Sequence, residues 1–319
     1  MAAGSKIYAN AVAKYNEGKL LDEEKLKRVS DASYSDAIKM LYDYGYGEGL
    51  PIENADAEKL AGAELDKLIS FVEEYAQNEK LKAFLLLPFL YNNLKAAYKS
   101  GFASVSENAF YPFFHAETEA VKTKEYNSLS QIAAEGLKRL DDSAAEGKIT
   151  SREIDCVLTG CMYKELKSLS SGLKRSLRKY VSMQIDLKNI LTAFRARKQN
   201  VDFKIASAML IEGGTLKEEQ LKAIASADPD SATVMFDGEY HDYVKKLFET
   251  GDFVEFERET DEVLYELSTR NRENMTSSEP FTGYFFAKLT EIKTVKLILT
   301  CLKNNARDEI GKRLRRVYG

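Results

Sequence analysis

A helical sequence pattern occurs twice in this chain, at an offset of 195 residues. Residues 20–32, LLDEEKLKRVSDA, align with residues 215–227, TLKEEQLKAIASA, so that Leu21 is paired with Leu216. In both stretches the later apolar residues lie three positions apart, as on one face of an α-helix. A recurring helical pattern restricts the chain to a fold built from copies of one helical unit.

Two further blocks follow in the same order and support the repeat. The second block reads Glu, any residue, Asp and an apolar pair near the start of a helix, where acids favour the positive end of the helix dipole. Its aspartates are Asp66, Asp155 and Asp261. The third block lies in long apolar segments that align at Asn93, Asn189 and Thr294, and three residues earlier at Leu90, Asp186 and Glu291.

The three sets of blocks predict three similar helical domains, at residues 1–105, 106–208 and 209–319. The opening block of the middle copy, expected between residues 110 and 140, is not recognisable. If the copies pack as equivalents, they form either a closed pseudo-threefold body or an open array of three.

Scarcity of chain breakers predicts an all-α protein with long helices. The sequence holds only 18 Gly and 5 Pro, and no Asn-Gly or Asp-Gly turn lies between alternating apolar runs. Asp22 and Ser35 are the expected N-caps of the first helices. Gly213 is expected to end one helix, and a new one is expected after Thr215.

No enzyme motif is visible, and the sequence predicts a protein without catalytic residues, cofactor, metal or direct ATP binding. The string SGLKRS at residue 171 lacks the second glycine that directly precedes the lysine of a phosphate loop, and no zinc-ligand spacing or nucleophile elbow occurs. Asp186 and Glu291 lie in otherwise apolar helices and therefore need partners, for which Arg195 and Lys296 are candidates. An enzyme whose site cannot be read from sequence remains an alternative.

The net charge of −4 argues against a nucleic-acid partner. Basic residues are nevertheless concentrated in residues 164–198 and from residue 292 onward, whereas residues 212–279 are acidic. These stretches are either solvated helix faces or surfaces that meet a partner of opposite charge.

The three cysteines form no framework, which favours reduced thiols in the cytoplasm. No signal peptide is visible, and the longest apolar run, residues 83–90, is too short to span a bilayer.

Four strings carry a resemblance to a known family. They are IYANAVAKYNEGKLL near the start, QIDLKNILTAFRARKQN in the middle, AMLIEGGTL after it, and YFFAKLTEIKTVKLILTCLKNNARDEIGKRLRRVYG at the end. With these strings the chain resembles the C-type subunits of bacterial and archaeal V/A-type rotary ATPases, which are equivalent to the d-type subunits of the vacuolar enzyme. Two positions depart from the family pattern, namely Leu90, where an acid is common, and Thr294, where Asn is expected.

The resemblance implies a funnel-like body of three helical domains with a central cavity, peripheral to the membrane on its cytoplasmic side. It implies a central-stalk socket that receives the shaft of the D and F subunits, sits on the proteolipid c-ring and transmits torque in proton or sodium transport. Arg313, Arg315 and Arg316 then become candidates for a partner interface. The alternative is a generic helical scaffold with no rotary role.

Overall fold

The secondary structure of the described residues is helical, without strands, which confirms the all-α prediction. The computed structural model describes residues 6–111, 113–147 and 149–314. The first eight helices are α1 (Lys6–Glu17), α2 (Glu23–Asp31), α3 (Tyr34–Asp43), α4 (Ala57–Tyr75), α5 (Glu79–Ser100), α6 (His115–Thr123), α7 (Gln131–Ala145) and α8 (Ser151–Ser170). The following eight are α9 (Arg175–Lys198), α10 (Phe203–Ser207), α11 (Glu218–Ser226), α12 (Pro229–Thr233), α13 (Glu239–Thr250), α14 (Phe253–Thr269), α15 (Glu279–Lys303) and α16 (Arg307–Arg313).

Polar side chains begin many of these helices, because the first backbone N–H groups of a helix have no partner within it. The prediction for Asp22 is confirmed, since its carboxylate accepts a hydrogen bond from the N–H of Lys25 at 2.8 Å. The prediction for Ser35 is wrong. Helix α3 already begins at Tyr34, and its N-cap is Ser33, whose hydroxyl accepts from the N–H of Asp36 at 3.2 Å.

The longest helices of the described chain are the three that carry the third sequence block. They are α5, α9 and α15, with 22, 24 and 25 residues. This confirms the expectation of long helices from the scarcity of breakers. We call these three the closing helices, because each carries the last block of a predicted sequence copy.

The chain divides into two compact units, one formed by Met1–Lys82 with Lys245–Gly319 and the other by Ala83–Val244. We call them the terminal unit and the central unit. The predicted division into three sequence copies, with boundaries near residues 105 and 208, rests on alignment of the blocks and stays a prediction.

In the terminal unit, the closing helix α15 packs against α1, α2, α3, α4, α14 and α16. Its apolar side chains share one core with side chains from the start of the chain. This core includes Leu21, Leu26, Val29, Leu41, Leu60, Val295, Ile298, Leu299 and Ile310. The two ends of the sequence are therefore folded together, and neither end alone completes this core.

In the central unit, the closing helix α9 packs against α8, α10 and α11, and α7 packs against α8. Helix α9 buries apolar side chains along most of its length, including Leu177, Val181, Ile185, Ile190 and Phe194. All three cysteines are free thiols. None of the helices in the described ranges combines the length and the hydropathy needed to cross a bilayer.

Candidate functional site: buried polar anchors on the closing helices

The most deeply buried charge of the terminal unit is the carboxylate of Glu291, on α15. It accepts hydrogen bonds from the backbone N–H of Leu21, from the hydroxyl of Tyr46 and from the ammonium group of Lys288, the last at 2.7 Å. A buried carboxylate needs such donors, because it has lost the hydrogen bonds of water. Glu291 thereby fixes the segment before α2 and the turn after α3 to the closing helix.

Lys288 extends this anchor to α4. Its ammonium group lies 2.7 Å from a carboxylate oxygen of the buried Glu64 and 4.4 Å from the centre of the Tyr46 ring. Burial alone would lower the pKa of Lys288, but its ion pairs and hydrogen bonds with Glu291 and Glu64 outweigh that effect and raise it. One lysine, two carboxylates and one tyrosine thus form a connected network inside the terminal unit.

The central unit contains a corresponding anchor at Asp186, on α9. This carboxylate, which is fully buried, accepts from the N–H of Thr215 at 2.7 Å, from the Thr215 hydroxyl at 2.6 Å, from the N–H of Leu216 at 3.1 Å and from the hydroxyl of Tyr240 at 3.0 Å. Burial and the neighbouring Asp186 raise the pKa of Tyr240, so this tyrosine stays a neutral donor.

Gly214 allows the chain to approach Asp186 so closely. A Cβ atom at this position would lie 2.1 Å from Oδ1 of Asp186, a distance that no real contact allows. The adjacent Gly213 has the left-handed backbone conformation, with φ 98°. The prediction that Gly213 ends a helix is wrong, because α10 ends at Ser207, whereas the predicted helix after Thr215 is α11. The second glycine of the pair instead makes room for the anchor.

The two anchors use aligned residues of the sequence repeat. Asp186 and Glu291 are aligned acids, and the backbone groups that they bind, at Leu216 and Leu21, are the aligned leucines of the opening block. Each acid also accepts from a tyrosine that follows its opening block. In each unit a closing helix therefore holds a segment from another part of the sequence: α9 binds Leu216, and α15 binds Leu21.

Asn93 and Asn189 form a second pair of equivalent contacts, in the central unit. The side-chain oxygen of Asn93 accepts from the N–H of Tyr111 at 2.8 Å, and its nitrogen donates to the carbonyl oxygen of Tyr111 at 2.9 Å. Asn189 makes the same two bonds to Ile211, both at 2.8 Å. A primary amide suits this task because it is donor and acceptor at once. At the third aligned position, the buried Thr294 has no amide to offer.

The aspartates of the second sequence block differ in their surroundings. Asp155 forms an ion pair with Lys99, with a nitrogen–oxygen distance of 2.7 Å. Asp66 and Asp261 are both half-buried, and burial raises the pKa of Asp66.

The expected partners of the buried acids differ from the observed ones. Lys296 forms an ion pair with Glu58 at 2.6 Å, and Lys288 takes its expected place beside Glu291. Residues three apart face each other on a helix, whereas residues five apart do not. Arg195 is exposed and lies nine residues after Asp186, a rise of roughly 13 Å along α9.

Helix α7 begins within residues 110–140, where the opening block of the middle copy is predicted. Its N-cap is Ser130, whose hydroxyl accepts from the N–H of Ala133 at 3.1 Å and donates to the carboxylate of Glu165, on α8. Burial raises the pKa of Glu165 to about 7. Glu165 lies on α8, whereas Leu90, on the closing helix α5, offers no acid. Ser130 lies seven residues before Leu137, whereas Asp22 lies four residues before Leu26, so the spacing of the other blocks does not identify this segment.

The candidate interface at the end of the chain is described only in part. Arg313 is half-exposed at the end of α16, and its guanidinium lies 3.3 Å from the carboxylate of Glu309. Arg315 and Arg316 lie outside the described residues. Within residues 6–111, 113–147 and 149–314, no group of three or more His, Cys, Asp and Glu side chains could hold a metal ion.

The anchors consist of side chains whose hydrogen bonds go to other parts of the same chain, so the arrangement joins segments and holds them in register. In comparisons with known proteins, the model of the family described as ATP synthase (C/AC39) subunit matches residues 9–313. No curated protein matches the chain.

Proposed function

Because this chain belongs to the ATP synthase (C/AC39) subunit family and is thus a V/A-type ATPase subunit, we propose that it is a non-catalytic part of the central stalk. In this role it receives the shaft of the D and F subunits, rests on the proteolipid c-ring and transmits torque between them. The observation that carries the proposal is the family match, which extends over residues 9–313. The funnel-like threefold body with a central cavity belongs to the same proposal.

Rigid internal connections support a role in torque transmission. A part that twists between two neighbours must not shear internally, so its separate sequence segments need strong cross-connections. Glu291 supplies one by binding Leu21, and Asp186 supplies another by binding Thr215 and Leu216. Buried networks of this kind lose several hydrogen bonds together when a segment moves, and they therefore resist small displacements.

The hydrogen bonding of the buried acids supports a non-catalytic role. A general acid or base must reach a substrate proton, either directly or through one water. The carboxylates of Asp186 and Glu291 are buried and bind donors of their own chain. We propose that this protein serves ATP-driven ion transport only through its contacts with its neighbours, from the cytoplasmic side of the membrane.

Charged surfaces would strengthen these contacts. The basic segments 175–198 and 303–316 are the proposed sites of electrostatic attraction to a neighbouring protein of the complex. Such contacts raise association rates and fix orientation, and they weaken as salt increases.

Reconstitution of the purified chain with its proposed neighbours tests the proposal. The chain would be mixed separately with the D–F complex and with the c-ring in detergent, and binding would be measured by co-purification and calorimetry. We expect the chain to bind both partners and to join them in a ternary complex. A folded chain that binds neither would contradict the proposal and favour a generic helical scaffold.

A further inference from the structure

Two pairs of side chains connect α5 to α8 in the central unit. Lys95 and Lys99 lie one helical turn apart on α5. They face Thr159 and Asp155, which lie one turn apart on α8. The ammonium group of Lys99 donates to both carboxylate oxygens of Asp155, at 2.7 and 2.8 Å. The ammonium group of Lys95 donates instead to the hydroxyl of Thr159, at 2.7 Å, so it faces a neutral group where its neighbour faces a carboxylate.

Lys95 is half-buried without a compensating negative charge. In the part of the chain that the structure describes, its ammonium group forms no ion pair with a carboxylate. Burial lowers the pKa of Lys95, and the positive charges of Lys99 and Lys188 lower it further. The charge of Asp155 has the opposite effect, which does not outweigh them. A partly buried cation among like charges is costly unless an anion binds it.

Lys188, on α9, brings a second positive charge without a partner to the same place. Its side chain is exposed, and none of the described carboxylates pairs with it. Since Asp155 neutralises Lys99, the charges of Lys95 and Lys188 remain. Three helices thus meet at a position with an excess of two positive charges.

The adjacent charged residues of these helices do not supply the missing negative charge. Arg152 and Glu153, the charged residues before Asp155 on α8, carry opposite charges and offset each other. Asp186, two residues before Lys188 on α9, is fully buried and is bound by the donors of its own anchor. An anion from outside the chain is therefore needed to neutralise this position.

We propose that Lys95, Thr159 and Lys188 form a binding site for a phosphate dianion, either free phosphate or the phosphate group of an ester. A dianion matches the two positive charges, whereas a carboxylate or chloride would leave one of them without a partner. Ammonium groups suit a tetrahedral phosphate because they act as point charges whose donors rotate freely. The hydroxyl of Thr159 accepts from Lys95 and keeps its own proton for donation to a phosphate oxygen. This inference goes beyond the proposed function and does not depend on it.

The test is a titration of the purified full-length chain with inorganic phosphate at constant ionic strength, followed by phosphorus-31 nuclear magnetic resonance and by the melting temperature. We expect one phosphate to bind per chain. We also expect the melting temperature to rise with phosphate concentration, because a ligand that binds only the folded state stabilises it.

Two variants and a matched control locate the site. Lys95→Met and Lys188→Gln should each lower the affinity for phosphate about 10-fold or more, because each removes a charged hydrogen-bond donor. Lys222→Gln removes an exposed lysine from α11 in the same unit and should keep wild-type affinity. All three proteins should keep the helical circular dichroism of the wild type. If Lys95→Met does not fold, Lys188→Gln decides the test, because Lys188 is exposed.

The anion arms of the experiment identify the ligand. Adenosine monophosphate that binds more tightly than inorganic phosphate would identify a phosphate ester, and the reverse order would identify free phosphate. Acetate or chloride that raises the melting temperature as much as phosphate would overturn the inference, since it would show screening without a dianion site. A folded wild type that binds no phosphate, or Lys188→Gln with unchanged affinity, would also overturn it. None of these results bears on the proposed function, because no neighbouring subunit is present.

Discussion

The backbone N–H of Leu21 donates a hydrogen bond to the side chain of Glu291, 270 residues later in the chain. This bond connects the segment before α2 to the closing helix α15 at the centre of the terminal unit. The same carboxylate binds Tyr46 and Lys288. The segment before α2 and the closing helix α15 therefore depend on each other for their stability.

Replacing Glu291 by Gln should destabilise the terminal unit strongly. The amide keeps the shape of the side chain but removes one of the two negative charges that neutralise Lys288. Breaking one partner of a buried ion pair costs roughly 3 kcal/mol, because the other charge remains buried. We expect this decrease in the free energy of unfolding in urea, with the slope against urea concentration unchanged.

A surface acid provides the control for this measurement. Glu309 forms exposed ion pairs with Lys312 and Arg313 on α16. Exposed pairs are screened by water and salt, so Glu309→Gln should leave the unfolding curve unchanged. If both variants unfolded at the same urea concentration, the Glu291 anchor would not be a determinant of stability.

The aligned acids show how far a sequence alone reveals such a site. The positions of Asp186 and Glu291 are predictable because an acid in an apolar helix must find a partner. The partners themselves, Tyr46 and Tyr240, are not predictable in this way. They belong to segments far along the chain, and helical periodicity describes only neighbours within a few turns.

Other features escaped prediction for similar physical reasons. The sequence predicts a helix stop at the Gly-Gly pair, because glycine allows backbone conformations that end helices. It does not show how closely the carboxylate of Asp186 approaches Gly214. The N-cap Ser130 of α7 donates to Glu165, which lies on α8 rather than on a closing helix, so alignment of the blocks does not reveal this contact.

Replacing Gly214 by Ala should disrupt the Asp186 anchor. The added methyl group would overlap the carboxylate, which must then leave Thr215 and Leu216. Overpacking of this kind typically costs about 1–3 kcal/mol. We expect a lower melting temperature and faster amide hydrogen exchange at these two residues.

Gly160 is the matched control in the same unit. A Cβ atom there would meet no neighbour within 4 Å, and the residue lies inside α8. Gly160→Ala should leave stability unchanged or raise it by up to about 1 kcal/mol, because alanine favours the helix. A stable Gly214→Ala protein with unchanged hydrogen exchange would show that the close approach is not required.

Glu165 should make the stability of the central unit depend on pH. Burial raises its pKa from 4.5 to about 7, so between these values the folded chain binds more protons than the unfolded chain. The contribution of Glu165 to stability is therefore full below pH 4.5 and is lost as pH rises to about 7. Glu165→Gln removes this loss and should be more stable than the wild type at pH 8, by about 2 kcal/mol after allowing for screening by solvent.

The measurement is the difference in unfolding free energy between Glu165→Gln and the wild type, at several pH values from 4.5 to 8. The difference should grow with pH up to about 7 and then level off. Glu135→Gln, which changes an exposed acid on α7, should show a difference that does not vary with pH. A carboxyl carbon signal of Glu165 that titrates near 4.5 in nuclear magnetic resonance would contradict the prediction.

Reversing the charges at the end of the chain should weaken assembly in a salt-dependent manner. The variant Arg313→Glu with Arg315→Glu and Arg316→Glu replaces three positive charges by negative ones, and its binding to the D–F complex and the c-ring would be measured at low and high salt. Charges at the rim of an interface act mainly on the association rate, so we expect that rate to fall about 10-fold or more at roughly 50 mM salt, and the deficit to shrink at roughly 500 mM.

A control reversal of the exposed Lys122, Lys138 and Lys204 changes the net charge equally but should leave association unaffected. If both triple variants lose affinity equally, net charge rather than the terminal basic segment governs the encounter, and an unchanged association rate in the arginine variant would remove this segment from the interface.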